Sequence, residues 1–256
     1  MSLASAAALF CVAVIAGVMN SISGGGTFIS FPALLLAGVP AIQANATNTM
    51  ALWPGVMFSL FAFRRELVST PPYRLLVAAI SLAGGLLGAV VLLRTPPAVF
   101  ERSVPFLLLA ATLLFAFNPL VAKRLRGAAA VEGISAGRLT VGLVVLFLIS
   151  VYGGYFGGGI GILVLATLAL FGMTDFHRMN AFRLVVSCSS NAAAVAAFIV
   201  AGAVAWPQAS VMLVGAILGG YGGARLARRT SATVLRRVAI ILGLAMSAYF
   251  FYRQFG

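Results

Sequence analysis

Apolar stretches of near-membrane length recur from end to end of the chain, separated by short polar connections. They fall at about 3–19, 27–42, 46–63, 73–93, 103–121, 139–156, 160–173, 179–202, 207–227 and 236–252. Most approach the ~20 residues needed to cross a hydrocarbon core of ~30 Å. Two of them, 27–42 and 160–173, are short for a crossing, and both directly follow three consecutive glycines. The pattern predicts an all-α polytopic membrane protein of about ten segments, with segments 1–2 and 6–7 broken or re-entrant at the glycines.

The pattern also repeats. Gly24-Gly25-Gly26 returns as Gly157-Gly158-Gly159, 133 positions on. Asn45-Ala46 returns as Asn180-Ala181, Pro72 as Pro207, Gly84-Gly85 with Gly88 as Gly219-Gly220 with Gly223, and Arg94 as Arg229, all 135 positions on. Two residues inserted in the second half account for the change of offset. The first repeat is read as 1–122 (segments 1–5) and the second as 139–256 (segments 6–10), joined by a basic linker at 123–138. Five segments is an odd number, so the second copy enters the membrane from the opposite side. Many secondary transporters are built this way, with substrate near the midplane at the repeat interface. A duplication whose symmetry is only structural is the alternative.

Composition supports the membrane reading: 62% of residues are hydrophobic, against 17 basic and 4 acidic side chains. The net charge of +13 does not point to nucleic acid. The basic residues lie mostly in short connections, without the continuous basic face that phosphate binding needs. If the segments alternate, Arg64, Arg65, Arg74, Lys123, Arg124, Arg126, Arg138, Arg178, Arg183, Arg225, Arg228, Arg229, Arg236 and Arg237 fall on one side. Arg94, Arg102 and Arg253 fall on the other, which places the crowded side in the cytoplasm and both termini outside. Re-entrant hairpins would leave this parity unchanged. The N-terminus lacks a basic n-region and a clear cleavage site and is read as a retained first segment. Cys11 and Cys188 lie in apolar runs without metal or disulfide spacing.

The glycines divide into two kinds. Gly84 and Gly88, like Gly215, Gly219 and Gly223, have small-xxx-small spacing and are expected to pack helices closely. Three consecutive glycines cannot share one packing face, and each costs a helix about 0.8–1.0 kcal/mol relative to Ala. They are read as breaks, tolerated inside a bilayer only where protein or a wet cavity surrounds them. The amides and positive dipole end of the helix that follows would make an anion site. A plain turn at the membrane surface is the competing reading.

Polar residues add candidate chemistry. In the eighth segment Asn180, Arg183, Ser187, Ser190 and Asn191 keep to one helical face. The matching stretch of the first repeat offers Asn45, Asn48 and Thr49, with Thr47 beside them. Such groups face protein or a water-filled path, although Asn and Ser also serve as interhelical glue and Arg183 could snorkel to the cytoplasmic interface. Glu66, Glu101, Glu132 and Asp175 all lie in connections or at their edges, so no carboxylate is expected mid-membrane. A cation carrier or proton relay would need one. His177, the only histidine, is read as an interfacial loop residue. An enzyme is not expected, since no nucleophile–base pair or metal cluster is present.

GVMNSISGGGTFISFPALLLAGVPAIQANATNT and GYFGGGIGILVLATLALFGMTDFHRMNAFR resemble the paired signatures of the TauE/SafE family of sulfite-exporter-like transporters. FAFRREL at 61–67 and NAAAVAAFIVAGAVAW at 191–206 are also similar to that family, and the likeness covers essentially the whole chain. The resemblance implies a bacterial inner-membrane transporter of small anionic sulfur compounds such as sulfite, sulfonates or related organosulfur anions. One departure is Ala-Phe-Arg at 181–183 where the first repeat has Ala-Thr-Asn at 46–48, which makes the half-sites unequal. The expected substrate-binding set is Gly24, Gly25, Gly26, Thr27, Asn45, Thr47, Asn48, Gly157, Gly158, Gly159, Asn180, Arg183, Ser187 and Asn191. No cofactor, metal or catalytic residue is expected. The expected partners are the small anion and the lipid bilayer, with a homo-oligomer left open. A passive anion channel, or a membrane subunit without transport activity, is the alternative function.

Overall fold

The computed structural model describes residues 2–22, 25–63, 74–126, 136–170, 173, 175–226 and 232–255. Gly24, Arg64, Arg65, Glu66, Pro72, Glu132, Arg228 and Arg229 lie outside the described residues. Ten α-helices are described: α1 (Leu3–Ile22), α2 (Thr27–Leu36), α3 (Ala41–Ala62), α4 (Arg74–Arg94), α5 (Pro97–Arg126), α6 (Ala136–Tyr155), α7 (Ile160–Leu170), α8 (Phe176–Val200), α9 (Trp206–Leu226) and α10 (Ala232–Phe255). Among the described residues, four stretches are long and apolar enough to cross a membrane: Leu3–Ser21, Arg74–Arg94, Pro97–Leu114 and Arg178–Val200.

Helix limits depart from the apolar runs where local chemistry overrides hydropathy. The second run ends early because Gly38, at φ +82°, closes α2 while Val39 N–H reaches back to the Leu34 carbonyl at 3.1 Å. Pro40 then opens α3, so the polar QANATNT stretch is helical from its start. Pro97 likewise starts α5 six residues before the apolar run, placing Glu101 and Arg102 on a helix. The basic ends of the expected linker are helical too, as the last residues of α5 and the first of α6.

Both triple glycines interrupt helices inside the protein, with Gly25, Gly26, Gly158 and Gly159 buried. They are glycine for different reasons. Gly157 and Gly159 take left-handed backbone, φ +77° and +79°, which turns α6 into α7. Gly26 has an ordinary helical φ of −60°, but a Cβ there would overlap the Ala16 carbonyl. That contact also shows the chain doubling back: residue 26 lies beside residues 16 and 20, so α2 returns along α1. A Cβ on Gly153 would meet Ile160, as α7 returns along α6. At 1.5 Å per residue, the 10 residues of α2 and 11 of α7 span about half of a ~30 Å core.

Helix partners come in matched sets. α1 packs on α9 as α6 packs on α4, and α3 packs on α9 as α8 packs on α4. α2 meets α10 as α7 meets α5, while α3 pairs with α8 and α5 with α10. The glycine contacts repeat at residue level: Gly84 against Phe147 and Gly219 against Val14, Gly88 against Val151 and Gly223 against Val18, Gly85 against Ser190 and Gly220 against Gly55. Each partner is displaced by the same 133 or 135 positions that relate the repeats. Aromatic packing joins the halves, with Phe31 of α2 edge-on to Phe156 at 5.5 Å between centroids.

These close approaches predict a sharp contrast in one helix. Gly219→Ala, whose new methyl overlaps the Val14 carbonyl, should lose about 1–3 kcal/mol. Gly222→Ala, which opens onto free space, should stay within about 0.5 kcal/mol. Thermal unfolding of the purified protein in detergent measures both.

Candidate functional site

A helix that stops inside a membrane protein leaves N–H groups at one end and C=O groups at the other without intrahelical partners. Side chains from the long helices α3 and α8 answer the carbonyl ends. Arg183 of α8 donates from Nε to Asn180 Oδ1 at 2.8 Å and from Nη2 to the Asn20 carbonyl at 3.3 Å, on the last turn of α1. Asn45 of α3 donates from Nδ2 to the Tyr155 carbonyl at 3.0 Å, the end of α6. Each long helix therefore secures the broken pair of the other half.

The starting ends are organised differently. Asn20 Oδ1 accepts from Gly26 N–H at 2.8 Å, which holds the first turnaround closed. Asn48 Nδ2 reaches Thr27 Oγ1 at 3.4 Å, and the Ser30 hydroxyl donates to Asn48 Oδ1. In the second break, the Tyr152 hydroxyl donates to the Gly158 carbonyl at 2.7 Å. Ile162 and Leu163 N–H turn to the Gly159 carbonyl, while Ile160 and Gly161, one residue further into the break, find no backbone acceptor among the described residues.

Between the two breaks lies a cavity of about 40 Å³, room for more than one water. Thr27, Asn48, Gly157, Arg183, Ser187 and Asn191 of the expected set line it. Asn20, Thr49, Ile160, Gly161, Leu52 and Val56 complete the wall. The starts of α2 and α7 both face this space, so two positive dipole ends converge there. Arg183 is 2% exposed. The ion pair found among the described residues joins Arg178 to Asp175 at 3.8 Å, and no described carboxylate pairs with Arg183. Its guanidinium is turned inward to Asn180 and Asn20. Ser187 Oγ is buried with no hydrogen-bond partner.

The remaining expected residues stand outside the cavity. Asn45 and Asn180 hold its walls through the bonds above, and Asn45 Oδ1 is itself without a partner. Thr47 Oγ1 accepts from Ala205 N–H at 2.9 Å, tying α3 to the turn before α9. Ser190, on the polar face of α8 but not in the expected set, bonds the Ser150 carbonyl at 3.1 Å, a link between α8 and α6. Gly25, Gly26, Gly158 and Gly159 shape the breaks without lining the cavity, and Gly24 lies outside the described residues. The central omission from the expected set is Asn20. Its signal was an amide at the end of an apolar run, a few residues before a break. Thr49, on the polar face read for the first repeat but left out of the expected set, lines the wall, and Gly161 was missed because only the fold brings it there.

A helical membrane bundle with a polar cavity between two broken helix pairs is the architecture of a membrane transporter. Comparison with known proteins narrows the class. The family model described as "Sulfite exporter TauE/SafE" matches residues 9–250. The chain is 32% identical to the "Probable membrane transporter protein" of Haemophilus influenzae, covering 97% of this chain and 95% of that protein. It is 32% identical to the "Probable membrane transporter protein ORF9" of a Sinorhizobium species, covering 93% and 89%. It is 30% identical to the "Probable membrane transporter protein YfcA" of Escherichia coli K12, covering 97% and 90%. No solved structure matches. The chain belongs to the TauE/SafE sulfite exporter family and is an integral membrane protein.

Asn20 gives this site its clearest stability test. Asn20→Ala strips the acceptor from the buried Gly26 N–H and should cost about 1–3 kcal/mol in thermal unfolding. Asn20→Asp keeps an acceptor at that place and should lose less.

Proposed function

We propose that this protein is a secondary transporter that carries a small anionic sulfur compound across the bacterial inner membrane by alternating access. The observation that carries the reading is Arg183, a buried guanidinium with no carboxylate partner among the described residues, facing a polar cavity between two helix starts. A buried cation of this kind is costly until an anion meets it. The family and the relatives' names support transport, and the charge of the site supports an anion.

In this reading the repeats, 1–122 and 139–256, are inverted with respect to the membrane, and the linker at 123–138 is cytoplasmic. The matched helix partners and glycine contacts support that symmetry. α1–α2 and α6–α7 are re-entrant pairs entering from opposite faces, consistent with the half-core length of α2 and α7. Both termini are extracytoplasmic, as the distribution of basic residues indicates. The substrate oxyanion sits against Arg183, Ser187, Asn191, Asn48 and Thr27, with the amides of Ile160 and Gly161 replacing part of its hydration shell. Asn45, Asn180 and the glycines position this set. Rocking of one repeat against the other exposes the site to each side in turn.

Flux of sulfite and small sulfonates into proteoliposomes tests the proposal. Wild type should show saturable flux that a second anion drives by counterflow, which a passive channel would not. Arg183→Ala should lose transport, and Gly158→Val, whose side chain collides with the Phe156 ring, should lose most of it. Asn20→Asp sets a carboxylate beside Arg183 and should weaken anion affinity at least about tenfold. Unchanged flux in Arg183→Ala and Gly158→Val would overturn the site assignment.

A further inference from the structure

A second opening lies at the end of the bundle where α2 turns into α3. It is a pocket of about 380 Å³ whose lining includes Leu35, Ala41, Glu101, Val104 and Arg253. Glu101 and Arg253 are exposed, so the pocket opens to the outside. Two helices run from it to the polar cavity. On α2, Thr27 lines the cavity and Leu35 the pocket; on α3, Ala41 lines the pocket and Thr49 the cavity. Each pair is eight residues apart, about 12 Å of helix, and keeps to one face.

One dry layer separates the two openings. Halfway along those faces stand Phe31 on α2 and Asn45 on α3. Phe31 meets Phe156 edge-on at 5.5 Å, Asn45 Nδ2 bonds the Tyr155 carbonyl at 3.0 Å, and the Tyr155 ring lies edge-on to Phe100 at 5.7 Å. Phe31, Asn45, Phe100 and Phe156 are each at most 1% exposed. Phe156 adjoins Gly157 of the cavity wall, while Phe31, Phe100 and Phe156 share a buried cluster with Val104 of the pocket. Asn45 Oδ1, buried in this layer without a partner, is left for a solute to meet once the layer opens. All three contacts join a residue of the first repeat to one of the second. A layer built that way parts when the repeats move against each other. The positions matching Phe31 and Phe156 are Val164 and Ser23, so the aromatic pair is not duplicated.

Resting on the alternating-access reading above, we propose that this pocket is the mouth of the transport path on its side and that Phe31 and Phe156 form its gate. The structure holds the gate shut. Solute in the pocket reaches the cavity only when Phe31 leaves Phe156. Glu101 and Arg253 give the mouth one charge of each sign, so selection for anions falls to the cavity behind the gate.

Thiol labelling tests this. With Cys11→Ala and Cys188→Ala as background, Glu101→Cys reports the pocket and Thr49→Cys the cavity. A charged, membrane-impermeant methanethiosulfonate is applied to the face from which Glu101→Cys reacts. A gate open for about 0.1–10% of the time should hold the Thr49→Cys rate at least about tenfold below that of Glu101→Cys. Phe31→Ala should raise the Thr49→Cys rate at least about tenfold, and Phe31→Leu should raise it less. Phe182→Ala removes an equally buried ring from the separate cluster on α8 and should leave the rate unchanged. Where Phe31→Ala does not fold, Phe31→Leu gives the reading. A Thr49→Cys rate that already matches Glu101→Cys, that no folded Phe31 variant raises, or that Phe182→Ala raises equally, overturns the gate. Labelling needs no substrate, so absence of sulfur-anion flux in wild type overturns the transport reading, and the labelling rates decide the gate separately.

Discussion

A helix interrupted inside a membrane protein must find its hydrogen bonds within the protein, because lipid supplies none. Much of this structure follows from meeting that demand twice. Each break creates loose carbonyls on one helix and loose amides on the next. The long helices α3 and α8 cross beside the breaks, joined by Trp53 Nε1–H donating to the Cys188 carbonyl at 3.1 Å. Their amide and guanidinium groups answer the carbonyls, through Asn45 at Tyr155 and Arg183 at Asn20. The amide ends are left turned toward a shared polar space. A device that stabilises the break thereby creates a cavity suited to negative charge.

Close helix packing makes the arrangement possible. The breaks can be buried only if the surrounding helices wrap them without gaps. Glycines on α4 and α9 let α6 and α1 approach to backbone contact, at Gly84 and Gly88 on one side and Gly219 and Gly223 on the other. The exposed apolar side chains of these helices, such as Leu86, Leu87 and Leu218, face outward, as expected of a lipid-facing surface. Small residues inside and large residues outside is the reverse of a soluble core. It reflects the absence of a hydrophobic force between helices in lipid.

Symmetry in the backbone coexists with asymmetry in the chemistry. Glycine contacts recur at the repeat offsets, whereas the capping groups do not. Asn20 closes the first break with its side chain, and its equivalent is Gly153, so the second break relies on Tyr152 instead. Arg183 stands where the first repeat has Asn48. A single cation between two matched halves makes the two walls of the cavity unlike in charge.

Much of the architecture was legible from the order of residues. Hydropathy located the ten described helices, the glycine offsets match the recurring helix contacts, and fourfold spacing placed Arg183, Ser187 and Asn191 on one face. These are local or periodic properties, set by backbone geometry and solvent transfer, and they survive without knowledge of neighbours. The sequence also marked 24–26 and 157–159 as breaks. It could not say that Gly26 is needed for contact with Ala16 while Gly157 and Gly159 are needed for left-handed backbone. Nor could it separate Thr47, a tie to Ala205, from Asn48, a wall of the cavity one residue away. Those outcomes depend on which helix lies alongside, and the approach of residues more than a hundred positions apart is decided only by packing in three dimensions.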